Sequence, residues 1–370
     1  MPPRPPRWPI TGAVAVVTSF ALIGVAPMTA DAAPKPPADG AVQMASRVSA
    51  APLKAEAVTQ RAQTNLRAAT FNVRTSRADR GTSRHWLRRA DSVAREIKSR
   101  NPGVVAIQEL GPGREDGKKA KIRGALRQTE SLEKALSRVD AGKYQVVRVT
   151  AYVKPGESTG TQGGRLLYDT NRYRLVTTCK ETTGKSNYNT SCSIPLPILS
   201  SDGANRRRHG AYAEFEDKRT GQNFFFVSVH LDERHSGSLS KEQRYDGLRR
   251  AQASAAYRKV EALNNFGYPV IVAGDINSWH TKRGSHAPHN FLTSQGFQDA
   301  VSAESKINSR YPTVNHWKRT LKANGPGRQV GLDVVMVKGA SSFEHYENVM
   351  KVVDSSRPSD HNLVIADLVL

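Results

Sequence analysis

Glu109, Asp275 and Asp360 each stand beside a short apolar run, as do the amides Asn72 and Asn277 and the imidazoles His230 and His361. Carboxylate and amide oxygens are hard donors, and no cysteine or paired histidine lies near them, so the set favours Mg²⁺, with Mn²⁺ or Ca²⁺ as alternatives, over zinc. An ion held by one or two carboxylates keeps positions for water and a phosphate oxygen, which suits phosphoric ester chemistry. The two imidazoles can donate to phosphate oxygens or move protons near neutral pH. Asp333, at the start of another apolar run, can hold His361 in one tautomer. Singly these residues are ordinary, since an acid at a strand end or a lone histidine is commonly structural. Asp275 followed by Asn277, and Ser359-Asp360-His361 ahead of the last strand, are more specific. On an extended segment, side chains two apart project to one side.

The runs that position them read as buried strands, being short and rich in β-branched or aromatic residues. They are Ala68 to Asn72, Val104 to Glu109, Phe224 to His230, Val270 to Asn277, Leu332 to Val337 and Leu363 to Leu370. Between them the spacing predicts helices over 83–100, 130–139 and from a Ser240 cap to 264, with Asn101-Pro102-Gly103 stopping the first. Tyr144 to Val149 reads as a further strand. Gly163 to Tyr168 and Tyr173 to Val176 read as a hairpin, and Ala211 to Phe215 pairs with the strand that ends at His230. Many strands with a few long helices predict an α/β sandwich, with helices outside two mostly antiparallel sheets.

The ordered set Thr-Phe-Asn, Gln-Glu, Ser-Val-His, Gly-Asp-Ile-Asn, Leu-Asp-Val-Val and Ser-Asp-His resembles the endonuclease/exonuclease/phosphatase superfamily, the deoxyribonuclease I-like metal-dependent phosphodiesterases and phosphomonoesterases. The resemblance spans about residues 66–370 and implies a four-layer α/β sandwich with the site where the two sheets meet at one edge. By motif position it implies a metal site of Asn72, Glu109 and Asp360, with Glu109 the principal ligand. Asp275 then orients or deprotonates the attacking water, and Asn277 steadies the scissile phosphate. His361 with Asp333 resembles the pair that contacts the phosphate or serves as base, and His230 resembles the second histidine. Which group is the base is left open, and the acid that partners the second histidine in deoxyribonucleases is not evident. Tyr168, after Arg165-Leu166-Leu167, resembles the active-site tyrosine of some members.

The 370-residue chain carries a formal charge of +22. Residues 1–32, with Arg4 and Arg7 before an apolar stretch and Ala30-Asp31-Ala32 after it, read as a secretory signal rather than a membrane anchor, because the stretch is short for a span of about 20 residues. Residues 33–65, rich in Ala and Pro, read as a linker or pro-segment ahead of one domain over 66–370. In an exported protein Cys179 and Cys192 are expected to form one disulfide, worth about 3 kcal/mol by chain entropy. The basic surplus favours polyanions, so nucleic acid is the expected substrate, with Arg165 and Tyr168 at the site and Trp279 and Trp317 available to stack on bases. Sphingomyelinase-like phospholipid hydrolysis, inositol-phosphate hydrolysis and a catalytically silent polyanion-binding role are the alternatives. The protein is expected to be a secreted monomer without a stable protein partner.

Overall fold

The computed structural model describes residues 63–120, 122–147, 164–180, 191–279, 285–324 and 331–370. The expected signal and linker lie outside these residues, apart from the last few positions before residue 66. In chain order the first elements are β1 (Asn65–Asn72), α1 (Trp86–Arg100), β2 (Val104–Gln108), α2 (Gln128–Arg138), β3 (Tyr144–Val146) and β4 (Arg165–Asp169). Next come β5 (Tyr173–Leu175), β6 (Ser193–Pro195), β7 (His209–Asp217), β8 (Asn223–His230) and α3 (Leu239–Glu261). The chain then forms β9 (Val270–Asp275), α4 (Ala287–Ser294), β10 (Gln298–Asp299), β11 (Ser305–Ile307), β12 (Asp333–Lys338), β13 (Ser342–Asn348) and β14 (Val364–Val369).

Two seven-stranded sheets result, one in the order β11-β13-β14-β1-β2-β4-β3, the other β10-β12-β9-β8-β7-β5 with β6 paired to β7. Pairing is mostly antiparallel, but β1–β2, β8–β9 and β11–β13 run parallel, the first two joined through a helix. The period-2 alternation of the strands makes the layers. Leu66, Ala68, Val104 and Ala106 face the second sheet, whereas Ala69, Phe71, Val105 and Ile107 meet Trp86, Val93 and Ile97 of α1 and Leu132 of α2. Ala253, Ala256, Tyr257 and Val260 of α3, with Leu292 of α4, close the second sheet from its other side. The order helix, sheet, sheet, helix is the four-layer sandwich expected.

Local boundaries follow the chemistry of the caps. Asn101 takes the left-handed conformation (φ 49°) and its N–H closes on Ile97 and Lys98, so Pro102 comes just after α1 has stopped. The third helix begins at Leu239 with Ser238 at its N-cap, two residues before the expected Ser240.

The expected hairpin does not form. β4 pairs with β2 and β3 in one sheet, while β5 pairs with β7 in the other, so the Asp169–Arg172 turn carries the chain between sheets. Lys218 N–H donating to Arg172 O holds β5 to its real partner. Cys179 and Cys192 are bonded. No helix among the described residues is long and apolar enough to cross a membrane.

Candidate active site

Parallel strands ending and antiparallel strands beginning at one edge bring the chemistry together. In the second sheet His230 is paired with Asp275, and Asp275 with Asp333, so three adjacent strands place these side chains in one register row. In the first sheet Asn72 ends β1 opposite Gln108, and Leu66, Ala68, Thr70 and Asn72 share the face toward the second sheet. Asn72 therefore reaches across, its Nδ2 donating to Asp275 Oδ2 at 3.1 Å and to Glu109 Oε1 at 3.3 Å. This one amide links the two sheets at the site. A glycine precedes the central acid for a geometric reason. Gly274 has φ +150°, and a Cβ there would lie 2.0 Å from Val229 O.

The cluster is nearly dry. Asp275 and Asp333 are each 1 % exposed, His230 2 % and His361 9 %. His361 Nδ1–H donates to Asp333 Oδ2 at 2.9 Å, which fixes the tautomer and leaves Nε2 3.9 Å from Asp275 Oδ2. His230 Nε2 is 3.6 Å from the same Asp275 oxygen. Burial, reinforced by the charge of Asp333, raises the Asp275 carboxyl to about 7, against the pull of His361 and of the Asn277 and Asn72 donors. Burial disfavours the charged form of His361, but the charge and hydrogen bond of Asp333, with Asp275 and Asp360 beyond, outweigh it and raise the imidazole to about 10. Acid and imidazole thus share one pocket in which the charge of each shifts the other.

Asn277 departs from the extended geometry expected of it. It adopts φ 47°, its N–H donates to Asp275 Oδ1 at 2.9 Å and its Nδ2 to Leu231 O at 3.0 Å. The turn braces Asp275, and the bond to Leu231 O uses one of the two Nδ2 hydrogens. Asn72 also differs. Its Oδ1 accepts from Arg74 N–H at 3.0 Å and its Nδ2 bridges two acids, so it serves as a spacer more than as an oxygen ligand.

Glu109, also at positive φ (60°), accepts from Thr75 N–H at 2.9 Å through Oε2. Asp360 Oδ2 is 2.5 Å from Arg74 Nη1, and the Arg74 guanidinium feels the charge of both Asp360 and Glu109. Two hard carboxylates around one cation fit a divalent ion. Asp275, Asp333 and His361 also lie close enough together, their ligand atoms within 4.8 Å, but an ion there would break the His361–Asp333 bond. The Glu109–Asp360 side is the better fit.

Tyr168 is placed away from this cluster. It is opposite Val104 at the far end of antiparallel β4, its ring 5.1 Å from Phe215. Arg165 is at the site end, opposite Ile107, but is 1 % exposed, with Nη1 donating to Gly164 O. Trp279 rests against His235, ring centres 4.5 Å apart, and lines a cavity of about 580 Å³ with Pro312, Val314, Leu321 and Leu332. Trp317 lies instead beneath Arg84 and Arg89, at 5.3 and 5.8 Å.

Several supporting residues were not anticipated. Gln128 Oε1 accepts from Ser76 and Gly111 N–H while its Nε2 donates to Arg74 O, pinning the loops after β1 and β2 together. Asn315 Nδ2 donates to Ser359 O and Asn362 Oδ1, which fixes the Ser-Asp-His segment from below. Asp246 of α3 accepts from Ser278 and Ser285, both after Asn277 in the chain. None of them stands at the end of an apolar run, the pattern that singles out the other site residues.

A sequence profile described as the Endonuclease/Exonuclease/phosphatase family matches residues 69–361. A search of curated protein sequences found no match. Among solved structures, the chain is similar to an endonuclease/exonuclease/phosphatase family protein from Bacteroides thetaiotaomicron, with 18 % identity and a TM-score of 0.60 over 84 % of this chain and 99 % of that one. It is also similar to a mannosyl-6-phosphatase from Bacteroides thetaiotaomicron VPI-5482, at 18 % identity and TM-score 0.57, covering 82 % and 100 %. The human Nocturnin catalytic domain with bound sulfate follows at 17 % and 0.51, covering 84 % and 96 %. At these identities the structures speak to fold alone.

Proposed function

Because the chain belongs to the endonuclease/exonuclease/phosphatase family, whose members are metal-dependent phosphoric ester hydrolases, we propose that it is a secreted phosphodiesterase that cleaves nucleic acid. The register row His230–Asp275–Asp333, with His361 clamped by Asp333, carries the hydrolytic reading. The charge of +22 carries the choice of substrate, since a polyanion gains most from releasing its counterions on such a surface. The disulfide supports an oxidising compartment, in keeping with export.

Asp275, near neutrality in its proton affinity and steadied by Asn72 and Asn277, accepts the proton of the attacking water. His361 stays imidazolium beside Asp333 and donates from Nε2 to a phosphate oxygen as its charge grows. His230, on the far side of Asp275, is placed to donate to a second phosphate oxygen. Glu109 and Asp360 would hold the divalent ion, which supplies Lewis-acid stabilisation of the phosphate or the leaving oxygen.

The test is a parallel assay of plasmid DNA, RNA, sphingomyelin and a phosphorylated inositol with Mg²⁺ or Mn²⁺, with and without chelator, beside His361→Ala. Nucleic-acid cleavage that needs the metal and His361 is the expected result. Turnover of sphingomyelin or inositol phosphate without nucleic-acid cleavage overturns the substrate choice.

A further inference from the structure

We propose that the cavity beside the catalytic cluster is a nucleoside subsite, seating the base and sugar on one side of the phosphodiester under attack. The proposal rests on the nuclease reading above and specifies where that substrate is gripped. The cavity adjoins the cluster through the chain. Leu332 immediately precedes Asp333, Val314 forms a backbone bridge with His361, and Trp279 lies two residues beyond Asn277. Backbone neighbours of Asp333, His361 and Asn277 thus line the cavity, which places it beside the cluster.

The lining has two chemical halves. Trp279, Val314, Leu321 and Leu332 are half-buried and offer an apolar, partly aromatic floor, with the indole braced by His235. Lys318 and Lys322 are exposed at the same cavity, and among the described residues neither has an acidic partner. An aromatic surface beside unpaired cations matches a planar base attached to phosphates. The volume of about 580 Å³ is in the range of roughly 300–1,000 Å³ that small ligands occupy, enough for a nucleoside and a phosphate but short for a two-chain lipid.

Two soluble phosphodiesters with one leaving group test this: thymidine 5′-(p-nitrophenyl phosphate) and methyl p-nitrophenyl phosphate. Wild type is expected to favour the nucleoside ester in kcat/KM by roughly tenfold or more, the scale of one stacked base. Trp279→Ala and Leu321→Asp should each collapse that ratio toward unity. A purely structural role would lower both esters together and leave the ratio intact, which overturns the proposal.

Calorimetric titration with thymidine 3′,5′-bisphosphate in EDTA, where metal-dependent hydrolysis is silent, gives an independent readout. Binding weakened by both variants sustains the subsite even if neither ester is cleaved, in which case only the hydrolytic reading fails. Cleavage of both esters at equal efficiency with no bisphosphate binding leaves hydrolysis standing and sinks the subsite. Binding of dodecylphosphocholine in place of the bisphosphate overturns it in favour of a lipid.

Discussion

Arg74 Nη1 lies 2.5 Å from Asp360 Oδ2, so one of the two carboxylates best placed for a divalent ion already holds a cation of the protein's own. The Arg74 Nε bond to Asp79 Oδ2, also at 2.5 Å, anchors the guanidinium from its other side. An ion entering between Glu109 and Asp360 must compete with this pair. Arg74→Gln is therefore expected to bind Mn²⁺ more tightly, by about fivefold, corresponding to roughly 1 kcal/mol for a partly exposed ion pair. Calorimetry without substrate checks it. Weaker binding in the variant would mean that Arg74 supports the ion instead of competing with it.

His361 and Asp333 should behave as one device. Asp333 holds the imidazole through Nδ1 and sustains its positive charge, so either loss removes the same oriented donor. Asp333→Asn and His361→Gln are each expected to lower kcat by roughly 10²–10⁴-fold. The double variant should cost little more than the worse single one, because residues acting as a unit are not additive. Costs that multiply across the cycle would show separate roles and break the assignment.

The strand ends were legible because apolar runs announce themselves and polar residues at their limits stand out. His230, Asp275 and Asp333 were all found this way, but their shared row was not, since register is set by which strands pair. Tyr168 failed for a related reason: alternation places it on a strand but does not reveal that β4 runs antiparallel, with Arg165 toward the site and Tyr168 away from it. The left-handed turn at Asn277 defeated the extended reading of Asp275-Ile276-Asn277, a conformation amides tolerate better than most residues. β13, Ser-Phe-Glu-His-Tyr-Glu-Asn, is not legible because it is mostly polar and owes its strand form to pairing with β14. Arg74 was passed over because its partner Asp360 lies 286 positions away.

Gly274 gives a test of how tightly the two parallel strands meet beside Asp275. Its φ of +150° belongs almost wholly to glycine, and an added methyl would sit 2.0 Å from Val229 O in backbone that cannot swing aside. Gly274→Ala should cost roughly 3 kcal/mol or more in urea denaturation. Gly142→Ala, where nothing lies within 4 Å of the added carbon, should stay within about 0.5 kcal/mol of wild type. Equal stability of the two variants would refute the close approach of β8 and β9.

His209 ties acid stability to the seam between the sheets. It is buried, with Nδ1 3.0 Å from Ser193 Oγ, and its carbonyl accepts from Gly164 N–H. Burial first, then the charges of Arg165 and Arg207, push its imidazole down to about 4. Between the ordinary value of about 6.5 and that lowered value, the unfolded chain takes up a proton that the folded chain refuses. Unfolding free energy must then fall as pH drops through this window, by roughly 3 kcal/mol at full extent, with no contribution from His209 above it. His209→Asn keeps a hydrogen-bonding partner for Ser193 but does not titrate, so its loss of stability between pH 6.5 and pH 4 should be smaller by about that amount. Denaturant titrations of both proteins at pH 7 and pH 4.5 decide the matter, and parallel losses in the two would remove His209 as the cause.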